Sequence, residues 1–205
     1  MIDRQVLIAT TNPKKLKELA SLLSDLKLNF LFLKDFPGAG EVEESGPTFE
    51  ENAKLKALGY ADQTGHLTFA EDSGLCCDAL DGAPGVYSAR FAGPGKSDEE
   101  NNRKLLRLLD KVPDLCRGAY FKSAVALAEP GRVVGVVTGE VHGAISHEIR
   151  GNQGFGYDPL FFYPPFQKCF GEVPMEMKHQ VSHRSKALQK ARLLLEQYLN
   201  QLTGG

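Results

Sequence analysis

Apolar residues alternate between short unbroken runs and helix-spaced sets along the first part of the chain. The run Val6-Leu7-Ile8-Ala9 is typical of a buried strand. Asn12 is a good helix N-cap and Pro13 suits the first helical position. The apolar residues that then recur at helical spacing are Leu16, Leu19, Ala20, Leu23 and Leu26. Phe30-Leu31-Phe32-Leu33 predicts a second strand, so the chain opens as β-α-β.

A capping-box pattern, Thr48-x-x-Glu51, predicts the start of the next helix. The residues expected along one face of this helix are Phe49, Asn52, Ala53, Lys56, Ala57 and Tyr60. The run Leu67-Thr68-Phe69-Ala70 follows and predicts a strand. We expect this strand to end at Glu71 and Asp72, on a turn formed by Ser73 and Gly74.

The second half of the chain begins with another capping box, Ser97-x-x-Glu100, which starts a helix. Residues 119–127 and 133–141 read as two strands. The sequence between them, Glu129-Pro130-Gly131-Arg132, is a hairpin signal. This part of the chain is therefore predicted to contribute a β-hairpin.

A short apolar run, Phe161-Phe162-Tyr163, precedes the last predicted helix, for which Ser182 is the expected N-cap. The apolar residues on one face of that helix are Leu188, Ala191, Leu195 and Leu199. No internal repeat or linker divides the sequence. We expect residues 1–205 to form a single α/β domain with two lobes around a shared, mixed sheet.

Composition and charge exclude several classes of function. The chain has 205 residues, of which 42% are hydrophobic and 24% charged, with a net charge of −2 and no basic stripe, so nucleic-acid binding is disfavoured. No apolar run approaches the roughly 20 residues that span a membrane, and the first residues lack signal-peptide features. The 4 cysteines lack zinc-site spacing and are expected to be buried or idle thiols. We expect a cytoplasmic protein with no nucleic-acid or membrane partner.

The adjacent acids Glu71 and Asp72 are the first candidate for chemistry. Because side chains alternate along a strand, we expect the two to point in opposite directions, so that one faces a site and the other supports it. Two acids cannot both lie in a dry core without partners. The alternative is a solvated turn.

Two helix starts gather cations and polar groups, at residues 10–15 and 178–184. Unpaired N–H groups and the positive end of the helix dipole favour anions at such positions. The first segment lacks the glycines of a P-loop. The alternatives are a well-capped surface helix for the first segment and solvated cations for the second.

Residues 151–159 contain three glycines, which leave the backbone open to close approach. Phe155 and Tyr157 are candidates to stack on a planar base, and Asp158 is a candidate to accept from ring N–H groups. The alternative is a structural turn. A weaker candidate is the acidic loop of Glu41, Glu43 and Glu44, whose alternative is solvated charge. Carboxylates for Mg²⁺, cations for phosphates and aromatic residues for a base together indicate a nucleoside triphosphate site.

Six motifs in order resemble the inosine triphosphate pyrophosphatase family, the dITP/XTP or non-canonical purine NTP pyrophosphatases, in its bacterial branch. They begin at Thr10, Glu44, Ala70, Gly82, Gly154 and Ser182, and read TTNPKK, ESGPTFEENA, AEDSGL, GAPGVYSAR, GFGYDP and SHR. The resemblance spans nearly the whole chain. It implies an elongated, twisted mixed sheet flanked by helices, with a central substrate cleft between two lobes.

The resemblance also implies an activity, which is Mg²⁺-dependent hydrolysis between the α and β phosphates to give a nucleoside monophosphate and pyrophosphate. By resemblance, Asp72 is the general base, and Glu44 and Asp72 are the metal ligands. The implied substrate-binding residues are Thr10, Thr11, Asn12, Pro13, Lys14, Lys15, Ser73, Phe155, Gly156, Tyr157, Asp158, Lys178, His183 and Arg184. A homodimer is implied as well, and apolar residues between Phe161 and Phe170 are candidates for its interface.

One position departs from the family pattern, because many bacterial members carry two aspartates where this chain has Glu71 and Asp72. The departure bears on metal geometry. Two rival functions stay open at this point. One is a Maf-type pyrophosphatase acting on modified or pyrimidine nucleotides. The other is a non-catalytic nucleotide sensor, against which the retained general base argues.

Overall fold

The computed structural model describes residues 5–22, 28–95 and 97–203. The strands are β1 (Gln5–Ala9), β2 (Asn29–Phe32), β3 (Leu67–Cys77), β4 (Gly118–Glu129), β5 (Arg132–Ile145), β6 (Phe161–Tyr163) and β7 (Lys168–Cys169). The α-helices are α1 (Pro13–Leu22), α2 (Phe49–Thr64), α3 (Asp98–Leu108), α4 (Met175–Val181) and α5 (His183–Thr203).

One mixed sheet of 7 strands has the order β2-β1-β3-β4-β5-β6-β7. β1 is parallel to β2 and to β3, and Leu7 is paired with Leu31 on one side and with Thr68 on the other. β6 is antiparallel to both β5 and β7. The predicted α/β class and mixed sheet are confirmed.

Three of the predicted helix starts are confirmed by their capping contacts. The hydroxyl of Thr48 accepts a hydrogen bond from the Glu51 amide, and Ser97 does the same for Glu100. Asn12 caps α1 by accepting from the Lys15 amide over 3.3 Å. Each cap satisfies an amide that has no partner within its own helix.

The predicted end of the third strand is wrong. β3 continues through Ser73 and Gly74 to Cys77, where a turn was expected. A Cβ at Gly74 would overlap the hydroxyl of Ser88 and the carbonyl oxygen of Gly85. Glycine is therefore present at position 74 because another segment packs closely on the strand, and the two acids lie inside an extended strand.

Two compact units divide the chain. Unit 1 comprises Met1–Asp72, Ser123–Gly139 and Ser185–Gly205, and unit 2 comprises Ser73–Lys122 and Glu140–Arg184. The boundaries fall inside β3, β4, β5 and α5, so each of these elements contributes residues to both units.

Each unit has its own hydrophobic core. In unit 1, β1, β3 and β4 pack with α1 and α5, and the core includes Ile8, Phe69 and Leu195. In unit 2, Phe161 and Phe170 are fully buried beside Phe121. The two phenylalanines that bound the expected dimer interface are therefore core residues and do not offer a surface.

The buried cysteines carry no sign of reactivity. Cys76, Cys77 and Cys169 are buried and Cys116 is exposed, and all four are free thiols. Burial raises the pKa of Cys77 to about 12, so this thiol stays protonated near neutral pH. No helix among the described residues has the length and apolarity needed to cross a membrane.

Candidate active site

Glu71 and Asp72 are buried neighbours near the middle of β3. Because both lie within the strand, their side chains leave opposite faces of the sheet, as expected. Glu71 accepts a hydrogen bond from the hydroxyl of Ser123 on β4 over 2.9 Å. The Nζ of Lys15, on α1, lies 3.6 Å from the other oxygen of Glu71. Glu71 is therefore a buried carboxylate with a neutral donor and a cation beside it.

Asp72 is oriented by an amide on α2. The Nδ2 of Asn52 donates a hydrogen bond to the Oδ2 of Asp72 over 3.1 Å. The Oδ1 of Asn52 in turn accepts from the amide of Gly46 over 2.7 Å. The loop that precedes α2 thus fixes the amide of Asn52, which fixes the carboxylate of Asp72.

The pKa of Asp72 lies above its ordinary value, and burial is the largest cause. The positive charges of Lys15 and Lys56 oppose this rise, while the negative charge of Glu44 adds to it. The hydrogen bond from Asn52 favours the charged form and lowers the pKa. A carboxylate with a raised pKa is a better proton acceptor near neutral pH than an exposed aspartate.

Lys56 connects the acidic loop to the strand. Its Nζ lies 2.8 Å from an oxygen of Glu44 and donates to the carbonyl oxygen of Glu71 over 3.1 Å. Glu44 itself is exposed. Asn52 and Lys56 were placed by sequence on the helix face that packs inward, but neither was predicted to serve the site. The signal was present, because two polar residues interrupt an otherwise apolar face of α2.

The donor set in unit 1 fits a hard divalent cation. Glu44 and Asp72 would supply carboxylate oxygens, the ligand type that Mg²⁺ prefers, and substrate phosphates usually complete the shell of this ion. The two acids repel each other, as the effect of Glu44 on the pKa of Asp72 records. A cation beside them would relieve that repulsion. No group of three or more His, Cys, Asp or Glu side chains with metal-binding geometry occurs among the described residues.

The junction between β1 and α1 presents polar groups at a helix N-terminus. The hydroxyl of Thr10 accepts from the amide of Asn12 over 3.2 Å. Thr11, Asn12 and Pro13 are exposed, and Lys15 is half-buried. The side chain of Lys14, a predicted binding residue, lies outside the described part of the chain.

In unit 2, a loop of residues 154–158 is held by a buried carboxylate. The Oδ2 of Asp158 accepts from the amide of Phe155 over 2.9 Å and from the Nζ of Lys178 over 2.6 Å. The side chains of Asp158 and Lys178 are almost fully buried. A Cβ at Gly154, whose φ is +73°, would overlap the same carboxylate. Asp158 therefore organises this loop, a role that differs from the predicted contact with a base.

Two cations lie over the ring of Phe155. The Nζ of Lys178 is 5.0 Å from the ring centroid and the guanidinium carbon of Arg184 is 5.5 Å from it. Arg184 also donates to the hydroxyl of Ser73 over 3.2 Å. The structure thus brings together four predicted binding residues, one of which, Phe155, is a half-exposed aromatic ring.

His183 begins α5 and is buried. Its ring stacks on Phe121 with centroids 4.8 Å apart and planes 14° apart. Phe121 was not predicted to contact a site residue, and its position within a predicted strand does not indicate the contact with His183.

The prediction that Tyr157 stacks on a base is wrong. Its ring lies in the core of unit 2, and its hydroxyl donates to the carbonyl oxygen of Ser88 over 2.9 Å. The ring packs within this core, so neither of its faces is available for stacking. Gly156 is half-buried, and both of its backbone polar groups are hydrogen-bonded to side chains of α3.

The family model of the Ham1 family matches residues 6–193. The chain belongs to the Ham1 family. Among curated relatives, the dITP/XTP pyrophosphatase of Desulforamulus reducens is 49% identical over 198 residues, covering 96% of this chain and 98% of the relative. That of Geobacter sulfurreducens is 50% identical over 184 residues, covering 90% and 92%. The resemblance to the bacterial dITP/XTP pyrophosphatases is therefore confirmed.

Solved structures of Ham1 proteins share the fold. A HAM1 protein from Coxiella burnetii has a TM-score of 0.87 at 38% identity, covering 95% of this chain and 99% of that chain. The Ham1 protein of Staphylococcus aureus has a TM-score of 0.86 at 36% identity, with coverage of 95% and 100%. A dITP/XTP pyrophosphatase from Mycobacterium abscessus has a TM-score of 0.76 at 41% identity, with coverage of 91% and 97%.

Proposed function

We propose that this chain hydrolyses non-canonical purine nucleoside triphosphates, namely dITP, ITP and XTP, to a nucleoside monophosphate and pyrophosphate. Its role is then to remove deaminated purines from the nucleotide pool. The observation that carries the proposal is the buried carboxylate of Asp72, which Asn52 orients and whose pKa is raised by burial. The names of the Ham1 relatives support the substrate class.

The reaction begins with a water molecule that attacks the α-phosphorus in line with the bond to the β-phosphate oxygen. Asp72 accepts a proton from that water, the new P–O bond forms, and pyrophosphate leaves with the electron pair of the broken bond. The raised pKa of Asp72 suits this role, since a general base works best with a pKa near the working pH. The amide of Asn52 holds the carboxylate in one orientation throughout.

Mg²⁺ is the proposed metal, with Glu44 and Asp72 as its protein ligands. When bound, it neutralises charge on the triphosphate and lowers the cost of placing anions beside these acids. Lys56 bonds to Glu44 and to the backbone of Glu71, and so keeps the acidic loop near the strand.

The proposed phosphate ligands are Lys15 and the polar residues at the start of α1, namely Thr10, Thr11 and Asn12. Helix α1 has 10 residues, so its dipole favours an anion at this end. Pro13 and Lys14 belong to the same proposed segment. Glu71 lies beside Lys15 and balances its charge when no phosphate is present.

For base recognition we propose Phe155 as the stacking surface and Lys178, His183 and Arg184 as donors. Hypoxanthine and xanthine carry a 6-oxo acceptor where adenine carries an amino donor. A set of donors therefore fits the deaminated bases and leaves adenine mismatched, and such a mismatch discriminates strongly. Ser73 supports Arg184 through its hydroxyl. Gly156 contributes backbone to the loop, and Tyr157 and Asp158 hold it in place.

The deciding experiment measures pyrophosphate release from dITP, ITP, XTP, dATP, GTP and dTTP, with and without Mg²⁺. We expect Mg²⁺-dependent release from the first three and little from dATP. Asp72→Asn is the matched control, because it keeps shape and hydrogen bonding while removing the base. Binding of dITP without turnover would favour a sensor, and a preference for dTTP would favour a Maf-type enzyme. We also propose a homodimer located in the cytoplasm, which sedimentation and cell fractionation would test.

A further inference from the structure

Two side chains on helix α3 hold both backbone groups of one residue, Gly156. The Oδ2 of Asp98 accepts a hydrogen bond from the Gly156 amide over 2.9 Å. The Nδ2 of Asn102 donates to the Gly156 carbonyl oxygen, also over 2.9 Å. Positions four apart on a helix share a face, so one face of α3 makes both bonds. Asp98 and Asn102 form the α3 pair.

Gly156 has a special place in the loop, because it separates Phe155 from Tyr157. Its φ of +62° is in the left-handed region that favours glycine. Gly156 has no side chain that could pack against neighbouring residues and fix its position. The α3 pair supplies that constraint through the backbone.

The residues on either side of Gly156 are held in other ways. Tyr157 is buried and bonded to the Ser88 carbonyl oxygen, and the Phe155 amide is bonded to Asp158. The ring of Phe155, by contrast, is half-exposed and lies under the cations of Lys178 and Arg184. The direction in which this ring leaves the backbone therefore depends in part on the peptide groups of Gly156.

The side-chain amide of Asn102 uses its Nδ2 in the bond to Gly156, whereas its Oδ1 is unsatisfied among the described residues. Asn102 is buried, and its Oδ1 has no hydrogen-bond donor among the residues that the structure describes. An unsatisfied buried acceptor disfavours the folded state. An Asn102→Leu variant removes the donor to Gly156 and also this orphaned acceptor, so relief of the unsatisfied acceptor partly offsets the lost hydrogen bond.

We propose that Asp98 and Asn102 are positioning residues for base recognition, acting through Gly156 on the ring of Phe155 and thereby on the choice between 6-oxopurines and 6-aminopurines. The inference rests on the proposed function. Neither side chain is assigned a contact with the nucleotide. Their effect is to keep the stacking ring and the donors around it in one arrangement before the base arrives.

The first test compares Asp98→Ala and Asn102→Leu with wild type in steady-state kinetics on dITP and dATP. We expect KM for dITP to rise about fivefold while kcat stays within about twofold, because the groups around Asp72 are unchanged. Turnover of dATP should hardly change, since adenine gains little from the correctly placed donors. The ratio of kcat/KM for dITP over dATP should therefore fall about fivefold.

Glu99→Ala is the matched control. Like Asp98, Glu99 is an acid in the first turn of α3, but its partner is Arg103 on the same helix. Both substitutions remove the same favourable interaction with the helix dipole. Only Asp98→Ala should change the dITP to dATP ratio, and an equal fall in Glu99→Ala would overturn the inference.

Hydrogen exchange provides a readout that does not depend on activity. We expect the Gly156 amide, followed in a peptide covering residues 152–158, to exchange faster in Asp98→Ala and Asn102→Leu than in wild type or Glu99→Ala. If wild type releases no pyrophosphate from dITP, the proposed function fails, whatever the exchange data show. If wild type is active and both variants keep its dITP to dATP ratio or its exchange rate, the positioning role is wrong.

Discussion

Asn52 donates a hydrogen bond to Asp72 across 3.1 Å, and both side chains are buried. The bond joins α2 to β3, and its acceptor is the carboxylate proposed to take a proton from water. A donor that stabilises the charged form lowers the pKa of a carboxyl group. The amide of Asn52 therefore limits how far burial raises the pKa of Asp72, as well as fixing its direction.

Replacing Asn52 with leucine should raise the pKa of Asp72 further. The substitution removes the donor to the carboxylate while keeping a buried side chain of similar size. An NMR titration of the Asp72 carboxyl carbon in metal-free protein measures the effect directly. Gln63→Leu is the control, because Gln63 also lies on α2 but bonds to Gly40, and it should leave the pKa unchanged. An unchanged or lower pKa in Asn52→Leu would contradict the assigned role of the bond.

Replacing Glu44 with glutamine should change the pKa of Asp72 in the opposite direction. The negative charge of Glu44 raises the pKa of Asp72, so its removal should lower that pKa in metal-free protein. The same variant should need a higher Mg²⁺ concentration for half-maximal activity, because one proposed ligand is neutral. The titration and a Mg²⁺ dependence of dITP hydrolysis check the two effects separately. Unchanged Mg²⁺ dependence would remove Glu44 from the metal site while leaving the pKa argument intact.

Asp72→Asn should give a protein that is less active and more stable. Loss of the general base should lower kcat by at least about 10²-fold. The pKa of Asp72 is higher in the folded state than the ordinary value of about 3.9 in an unfolded chain, so the folded state favours the protonated form. The charged carboxylate therefore costs stability above the folded pKa, and that cost disappears below the unfolded pKa.

Melting temperatures of metal-free Asp72→Asn and wild type, taken between pH 7.5 and pH 4, test this sign. The variant should melt higher at pH 7.5, and the difference should shrink as the pH falls. A variant that melts lower at pH 7.5 would mean that the partners of Asp72 outweigh its desolvation.

Substitutions of Lys178 and Asp158 should have strongly non-additive effects on the free energy of unfolding. The two charged groups are 2.6 Å apart and almost fully buried, so removing one leaves an uncompensated charge. Lys178→Met should lower the free energy of unfolding by about 3–5 kcal/mol, measured by urea denaturation. Adding Asp158→Asn should recover part of that loss. If the double variant is no more stable than Lys178→Met, then the pair is not the source of the effect.

Ser123→Ala should destabilise the fold through Glu71. Ser123 is fully buried and donates to a carboxylate that is itself buried, so its loss leaves an acceptor less satisfied. The expected cost is about 1–3 kcal/mol in urea denaturation. The cost should be smaller when the same change is made in a Glu71→Gln background, where the carboxylate charge is already gone. Equal costs in both backgrounds would contradict the coupling.

Local rules in the sequence predicted most of the fold. Asn12, Thr48 and Ser97 each cap the helix expected of them, because a cap depends on only a few neighbouring residues. The two-residue loop Pro130–Gly131 also joins β4 to β5 as the hairpin signal predicted. These features rest on contacts within a few positions along the chain.

The errors fall where distant segments meet. Ser73 and Gly74 are typical turn residues, yet both lie in strand β3, and Gly74 packs closely against Ser88. Tyr157 has an aromatic ring of the kind that stacks on bases, yet this ring lies in the core and its hydroxyl donates to the carbonyl oxygen of Ser88. No local pattern records that the segment around Ser88 lies beside both positions, so the sequence could not decide either one.

The hydrogen bond between Ser123 and Glu71 makes substitutions at position 71 depend on the residue at position 123. An aspartate at position 71 is one methylene shorter and would draw its carboxylate back from the Ser123 hydroxyl. A lineage that exchanges Glu71 for aspartate would therefore first need another donor near the strand, or an apolar residue at position 123. The identities at positions 71 and 123 should accordingly be inherited as a pair, and their correlation in related sequences would record that history.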